Sequence, residues 1–348
     1  MSMSMSTDTD TDTDTRTITR TKLLAEGHMM NSTRRRLLAA SLALPLVGCG
    51  RSAGAMLKTP LGVSSPNLPV NARRIVSLEF MFTESLLGLG LPPVGTADPD
   101  VYRSWVGIDA DKLRDTVSVG TRQQPDLAAI AALRPDLIVG YAQRHARIAE
   151  RLASIAPTVI YDLEPPPGED DAYTRLLRVF DDLARIVGAE QAASVMHARL
   201  DAALAATRAR VQDLGLAGQP TALMSPLASE AGFWGFDRRS SVGALLDHVG
   251  LSNAWSTTSA RRMGVRLGFD ALYEHPDWML LLLDAPNQPL YTERLWRDLP
   301  SVQAGRVGYL PRSTWTFGGL VAMTTFAQRV EAALAALKPQ TAGKQIAG

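Results

Sequence analysis

The sequence predicts two doubly wound α/β lobes joined by a single long helix. Three observations carry this. Short buried-strand runs alternate with helical stretches on both sides of the chain's middle, a strand-free helical block separates them, and one pattern recurs in each half. With 348 residues of which 46% are apolar, the chain can bury a substantial core, and this length usually divides into two domains. A net charge of +1 supplies no global field for nucleic acid, and a single Cys excludes internal disulfides and CxxC zinc sites.

Residues 1–28, with MSMSMS and TDTDTDTDT, form a low-complexity extension that cannot pack, and Met29-Met30 stand where an export signal would begin. Residues 29–48 have the form of that signal. NSTRRR is basic, Leu37 to Val47 carries no charge, and Gly48 precedes Cys49. Eleven residues rise only about 16 Å as a helix, too short to span a bilayer. Arg34-Arg35 resembles the twin-arginine export signal, and Leu46-Val47-Gly48-Cys49 resembles a lipobox in which Cys49 is acylated. Cleavage after Ala53-Gly54-Ala55 is the alternative. Residues 49–71, with Pro60, Pro66 and Pro69 among Ser and Gly, have the composition of a tether.

The N-terminal lobe, residues 72–188, reads as strands at 74–78, 93–96, 117–119, 136–139 and 158–161, with helices through 83–87, 126–133 and 148–155 between them. Ligand loops are expected at the C-terminal edge of such a sheet. From about 170 only helix formers appear, broken near Gly188. Within the interlobe segment 189–215, residues 190–214 would reach about 37 Å as one helix, enough to pass from one lobe to the other. In the C-terminal lobe, residues 216–337, strands are expected at 221–224, 278–283 and 306–310 with a helix over 240–249, and a tail follows over 338–348. LAAIAALRPDLIV (127–139) and GFDALYEHPDWML (268–280) both run helix, Pro-Asp, buried strand, and lead on to Glu150 and Glu293.

No nucleotide-binding glycine motif, nucleophile elbow or H-E-x-x-H occurs. His145, His197, His248 and His275 lack metal-ligand spacing and read as surface or capping residues. A secreted α/β enzyme therefore lacks a recognisable nucleophile and base.

Six segments in order, RRIVSLEFMFTESLLGLG, PPVGTAD with VYRSWV, VGTRQQPDLAAIAALRPDLIV, IAERLASIAPT, LSNAW and PSVQAGRVGYLPRSTWTFGGLVAM, span Arg73 to Met323. They resemble the periplasmic substrate-binding proteins of iron(III)-siderophore ABC importers, most closely the ferric-hydroxamate branch. The resemblance implies a non-enzymatic, monomeric receptor with two α/β lobes on a helical backbone. It would hold a ferric siderophore in a shallow cleft and hand it to a permease dimer driven by an ATPase. It also implies no cofactor and no protein ligand to the metal, since the siderophore fills iron's coordination sphere. A relative that binds heme or a cobalamin-type ligand is the alternative within the family.

By the same resemblance Arg122 bonds the oxygens around iron, where the plainer alternative is an ion pair with Asp126. Trp315 and Phe317 line the cleft from the second lobe, Tyr102 and Trp105 cap it or simply pack, and Trp234 is a further aromatic candidate. The branch's first-lobe tyrosine aligns on Arg144, with Tyr141 as the nearest substitute, and a second-lobe tryptophan aligns near Arg262. Arg144, Arg261, Arg262 and Arg266 then make the cleft basic and favour an anionic ligand such as a mixed hydroxamate and hydroxycarboxylate, unless they are solvated surface charge. Glu150 and Glu293 would dock on permease arginines, or merely sit favourably in first helical turns.

Overall fold

The computed structural model describes residues 56–164, 171–227, 232–255 and 264–337, so Cys49, the export segment, Arg261, Arg262 and the tail lie outside the described residues. The described residues all belong to one compact unit that begins at Gly50. Its first sheet has seven strands: β1 (Leu57–Thr59), β2 (Gly62–Ser64), β3 (Ile75–Ser77), β4 (Gly95–Thr96), β5 (Val117–Ser118), β6 (Leu137–Tyr141) and β7 (Thr158–Tyr161). They lie in the order β1-β2-β7-β6-β3-β4-β5, with β3 to β7 parallel. The crossovers run through α1 (Phe80–Gly88), α2 (Pro99–Trp105), α3 (Leu127–Ala132), and then α4 (Ala142–His145) with α5 (Ala149–Ala153). All five residues of β6 are buried, which is why it reads as an unbroken apolar run in the middle of a parallel sheet.

The tether expected over 49–71 is corrected here. Residues 57–64 form an antiparallel hairpin whose second strand pairs with β7. Gly62, at φ +143, makes this possible: a Cβ there would stand 2.1 Å from the Ile160 carbonyl oxygen. Farther on, the Asn71 N–H donates to the Ile186 carbonyl at 3.1 Å and ties the segment to the lobe.

Two helices follow, α6 (Ala172–Val187), closed by Gly188 in the left-handed region, and α7 (Glu190–Asp213). The absence of Gly and Pro through α7 lets it run unbroken for 24 residues, about 36 Å. Its buried positions Ala193, Met196, Leu200, Ala203, Leu204, Thr207 and Val211 recur every three or four residues and form one stripe.

The second sheet contains β8 (Pro220–Pro226), β9 (Phe233–Phe236), β10 (Ser252–Asn253), β11 (Gly264–Leu267), β12 (Met279–Leu283) and β13 (Val307–Leu310). The order is β11-β9-β8-β12-β13, with β10 also paired to β8. β8, β10, β12 and β13 are parallel, while β9 and β11 add an antiparallel edge absent from the sequence expectation. The helices are α8 (Ser241–His248), α9 (Phe269–Glu274), α10 (Arg294–Arg297), α11 (Pro300–Gln303) and the C-terminal α12 (Leu320–Ala335). The recurrent pattern is structural: α3 leads into β6 and α9 into β12.

One apolar cluster runs through both lobes, including Ile75, Leu137 and Leu183 on one side and Leu223, Leu281 and Met323 on the other, with the α7 stripe between them. The Thr207 hydroxyl donates to the Ala327 carbonyl at 3.0 Å and Arg210 pairs with Glu331 at 3.1 Å, so α7 and α12 are fastened by polar contacts as well.

Candidate functional site

The loops that leave β3, β4, β5 and β6 at their C-terminal ends bring Glu79, Asp98, Arg122 and Tyr141 with Arg144 to one edge of the first sheet, where ligands gather in parallel sheets. Glu79 is the N-cap of α1, and its Oε1 accepts from the Phe80 N–H at 3.1 Å. Beneath it the Ser77 hydroxyl donates to the Glu79 carbonyl at 3.0 Å and accepts from Thr83 at 2.9 Å. The Thr83 hydroxyl also lies 2.8 Å from that of Thr96, so the start of α1 is fixed to both β3 and β4.

Arg122 is buried, and both its backbone and its guanidinium are held. Its backbone N–H donates to Asp98 Oδ2 at 2.8 Å, its Nη1 to Glu79 Oε1 at 3.1 Å, and its Nε lies 3.5 Å from Asp98. The guanidinium stacks 3.8 Å from the centroid of Phe80 and lies 5.8 Å from that of Trp105, contacts worth about 0.5–2 kcal/mol where water is excluded. The expected alternative partner Asp126 is occupied elsewhere, accepting from the N–H groups of Ala128 and Ala129 as the N-cap of α3. Asp98 adopts φ 50, a left-handed conformation in which only Gly, Asn and Asp are at ease. That turn aims its carboxylate back at Arg122.

His145 corrects the surface reading given to it. It is fully buried; the Tyr141 N–H donates to its Nδ1 at 3.0 Å, and its Nε2 lies 2.8 Å from the Arg122 carbonyl. Since Nδ1 accepts, Nε2 must carry the proton, and the ring is the neutral Nε2–H tautomer. Burial holds its pKa below the ordinary value, ahead of the opposing pull of the Arg122 carbonyl and Glu79. Among the described residues the other histidines are less buried: His197 pairs with Asp181, His248 with Asp171, and His275 stacks on the buried Trp278.

Arg144 Nε stands 3.2 Å from Glu79 Oε2, so one carboxylate bridges both arginines. The Tyr141 ring lies 6.0 Å from the Arg144 guanidinium, and burial pushes its hydroxyl up to about 12. Arg144 Nε and Glu79 Oε2, and Arg122 Nε with Asp98, meet as ion pairs without hydrogen-bond geometry, whereas Trp315 Nε1 is buried without a hydrogen-bond partner.

Trp315 and Phe317 follow β13 in the second lobe. Trp315 packs 5.8 Å from Phe80 and 5.6 Å from Phe317, which is half exposed, as is Trp105. Tyr102 is not part of this wall. It is fully buried against Phe80, 5.5 Å between centroids, and its hydroxyl donates to the Ile108 carbonyl, so it packs in the core, the alternative given for it above, whereas Trp105 is half exposed. Trp234 sits on β9 over Gly264, and among the described residues no ring or charge contact joins it to Arg122. Arg262 lies outside the described residues.

The lobes meet directly beneath this wall. Glu84 of α1 is wholly buried, and its Oε1 accepts from the N–H groups of Gly319 at 2.5 Å and Ala322 at 3.4 Å, capping α12 from the opposite lobe. Burial drives its pKa up to about 8 against the lowering effect of those two N–H groups. A Cβ at Gly318 would fall 2.7 Å from Glu84 Oε1 and 2.8 Å from Trp315 Cδ1, so the chain can turn over Glu84 only with glycine there.

In the second lobe Asp284, after β12, accepts from Tyr291 at 2.8 Å, from the Ala285 N–H, and from Arg312. Burial pushes its carboxyl up, but these three donors outweigh it and hold the group below the ordinary range. A hollow of about 260 Å³ near Gln219, Asp277 and Arg306 lies at the N-terminal ends of β8, β12 and β13, away from every residue above.

Comparison with known proteins places the chain in a family. The profile of the periplasmic binding protein family matches residues 75–314. The chain belongs to that family. It is therefore a binding protein and not an enzyme, and the sequence resemblance is confirmed at family level. Relatives in the family include the iron(3+)-hydroxamate-binding protein FhuD of Escherichia coli, 27% identical over 87% of this chain and 96% of the relative. The Fe(3+)-citrate-binding protein YfmC of Bacillus subtilis is 29% identical over 74% of this chain and 79% of the relative. Among solved structures, the Fe3+–Desferal-bound siderophore-binding protein FhuD of Vibrio cholerae superposes with a TM-score of 0.67 at 25% identity, covering 77% of this chain and 99% of that one.

Proposed function

We propose that this family member captures a ferric siderophore of the hydroxamate type at the edge formed by Arg122, Arg144, Trp105, Trp315 and Phe317, and delivers it to an ABC permease. The carrying observation is the fixation of Arg122. Its backbone is clamped by Asp98 and His145 and its guanidinium by Glu79 and Phe80, so its remaining donors are set before any ligand arrives. A guanidinium offers parallel bonds to the oxygens of a metal chelate, and the indole and phenyl faces suit the organic shell around them. Relatives that bind ferric hydroxamate and ferric citrate support a ferric chelate as the ligand.

Glu150, exposed in the first turn of α5, and Glu293, exposed at the N-cap of α10, are proposed as the permease-docking residues, one in each lobe. Export by the Arg34-Arg35 signal and acylation of Cys49 complete the proposal, and Cys49→Ser should abolish incorporation of labelled palmitate. The binding test is tryptophan fluorescence of the full chain titrated with ferrichrome, ferric dicitrate, their iron-free forms and heme. Micromolar or tighter quenching by a ferric complex, weakened at least tenfold by Arg122→Ala and by Trp315→Phe, is the expected result. Quenching by heme alone would replace the siderophore with a porphyrin ligand.

A further inference from the structure

The arginines that line the site suggest at first an anion trap, since two guanidiniums, Arg122 and Arg144, lie on the edge of one sheet. The structure supplies each with an acidic partner. Glu79 stands within 3.1 Å of Arg122 and 3.2 Å of Arg144, and Asp98 within 3.5 Å of Arg122, so two positive charges face two negative ones. Neither acid is needed for the pairing seen in ordinary surface bridges. Glu79 has only 9% of its side chain exposed, and Asp98 is held in a left-handed turn to make its contact. A buried bridge costs desolvation on both sides, and an amide at 79 would still offer an oxygen to the Phe80 N–H, so capping the helix does not by itself call for a charge. What the carboxylate adds is charge balance.

We infer that Glu79, seconded by Asp98, is a specificity-determining residue that sets the site to electroneutral ferric complexes and turns away polyanionic ones. The inference rests on the receptor reading above and sharpens it, because relatives of this chain bind both hydroxamate and citrate complexes and so do not choose between them. The physics is that of a fixed point charge. A carboxylate about 8 to 10 Å from a bound chelate, in a medium of effective dielectric constant about 20 to 40, changes affinity by about tenfold for each charge the ligand carries and leaves a neutral ligand's monopole energy untouched. Arg144 contributes the opposite sign from the other side of the same carboxylate. The two substitutions must therefore move selectivity in opposite directions.

The experiment measures, for the full chain, the ratio of affinities for ferric dicitrate, a polyanion, and ferrichrome, a neutral trihydroxamate, at low and at physiological ionic strength. The wild type is expected to favour ferrichrome. Glu79→Gln should raise the dicitrate-to-ferrichrome ratio about tenfold or more at low salt, and Arg144→Gln should lower it. Should Glu79→Gln fail to fold, Asp98→Asn takes its place, because Asn accepts the left-handed conformation and keeps an oxygen for the Arg122 N–H. A wild type that prefers ferric dicitrate, or variants that leave the ratio where it was while still binding, would overturn the inference and leave the receptor standing. Silence toward both complexes in a folded wild type would remove the receptor and the inference together.

Discussion

Glu84 is the place where a single proton should be visible in the stability of the whole molecule. Its carboxyl belongs to the first lobe, caps α12 of the second, and has no contact with solvent. With burial raising its pKa from 4.5 to about 8, the folded state keeps a proton that the unfolded chain releases. The sign follows from proton counting. Below pH 4.5 both states hold the proton and the contribution is complete; between 4.5 and 8 only the folded state does, so stability falls as pH rises, and above 8 it levels off. Each pH unit in that interval is worth about 1.4 kcal/mol, so the group should withdraw about 4 kcal/mol between pH 5 and pH 9.

Glu84→Gln isolates this effect. The amide has the same shape, keeps an oxygen for the Gly319 N–H, and cannot titrate. Urea unfolding of the full chain, followed by circular dichroism at pH 5, 7 and 9, gives the difference between wild type and variant at each pH, and every other titrating group cancels. The variant should gain on the wild type steadily with pH. At a urea slope of about 3 kcal/mol per molar, the midpoints should separate by about 1 M more at pH 9 than at pH 5. Parallel midpoints across that range would refute the reasoning and mean that the two backbone donors hold the carboxylate ionised despite its burial.

Other consequences are open to separate measurement. The 15N spectrum of His145 should show the neutral Nε2–H tautomer at pH 6.5, where a free imidazole is half charged; an imidazolium signal would break the proposed support of Arg122. Because its folded pKa is depressed, His145 should cost stability as pH falls below about 6.5, the opposite slope to that of Glu84. Gly318→Ala should lower stability by about 1–3 kcal/mol in thermal or urea unfolding and shift the fluorescence of Trp315, since its methyl would overlap Ala322, Glu84 and the indole.

The sequence pattern located the alternation of strands and helices where strands are buried on both faces, as in β3, β6, β7 and β12, and where a crossover helix is rich in Ala and Leu, as in α3. β6, β12 and α7 are found within a residue or two of where hydrophobic period and helix breakers put them. The hairpin at 57–64 escaped because its first strand is wholly exposed and its Pro, Gly and Ser are also what a tether is made of; only pairing to β7, about a hundred residues away, makes it a strand. Arg122 and Trp315 were legible as ligand candidates from their motif positions. The acidic half of the site was not. Glu79 looks like an ordinary N-cap ahead of an apolar helix and Asp98 like the start of an Asp-Pro turn, and both descriptions are correct as far as local chemistry goes. Their second role depends on four strand ends converging, which no local window contains. The same convergence bears on the electrostatics: among the described residues, Arg122 and Arg144 share Glu79 and Asp98 and together bring no net charge to this edge, while Arg261 and Arg262, also counted toward a basic cleft, lie outside the described residues.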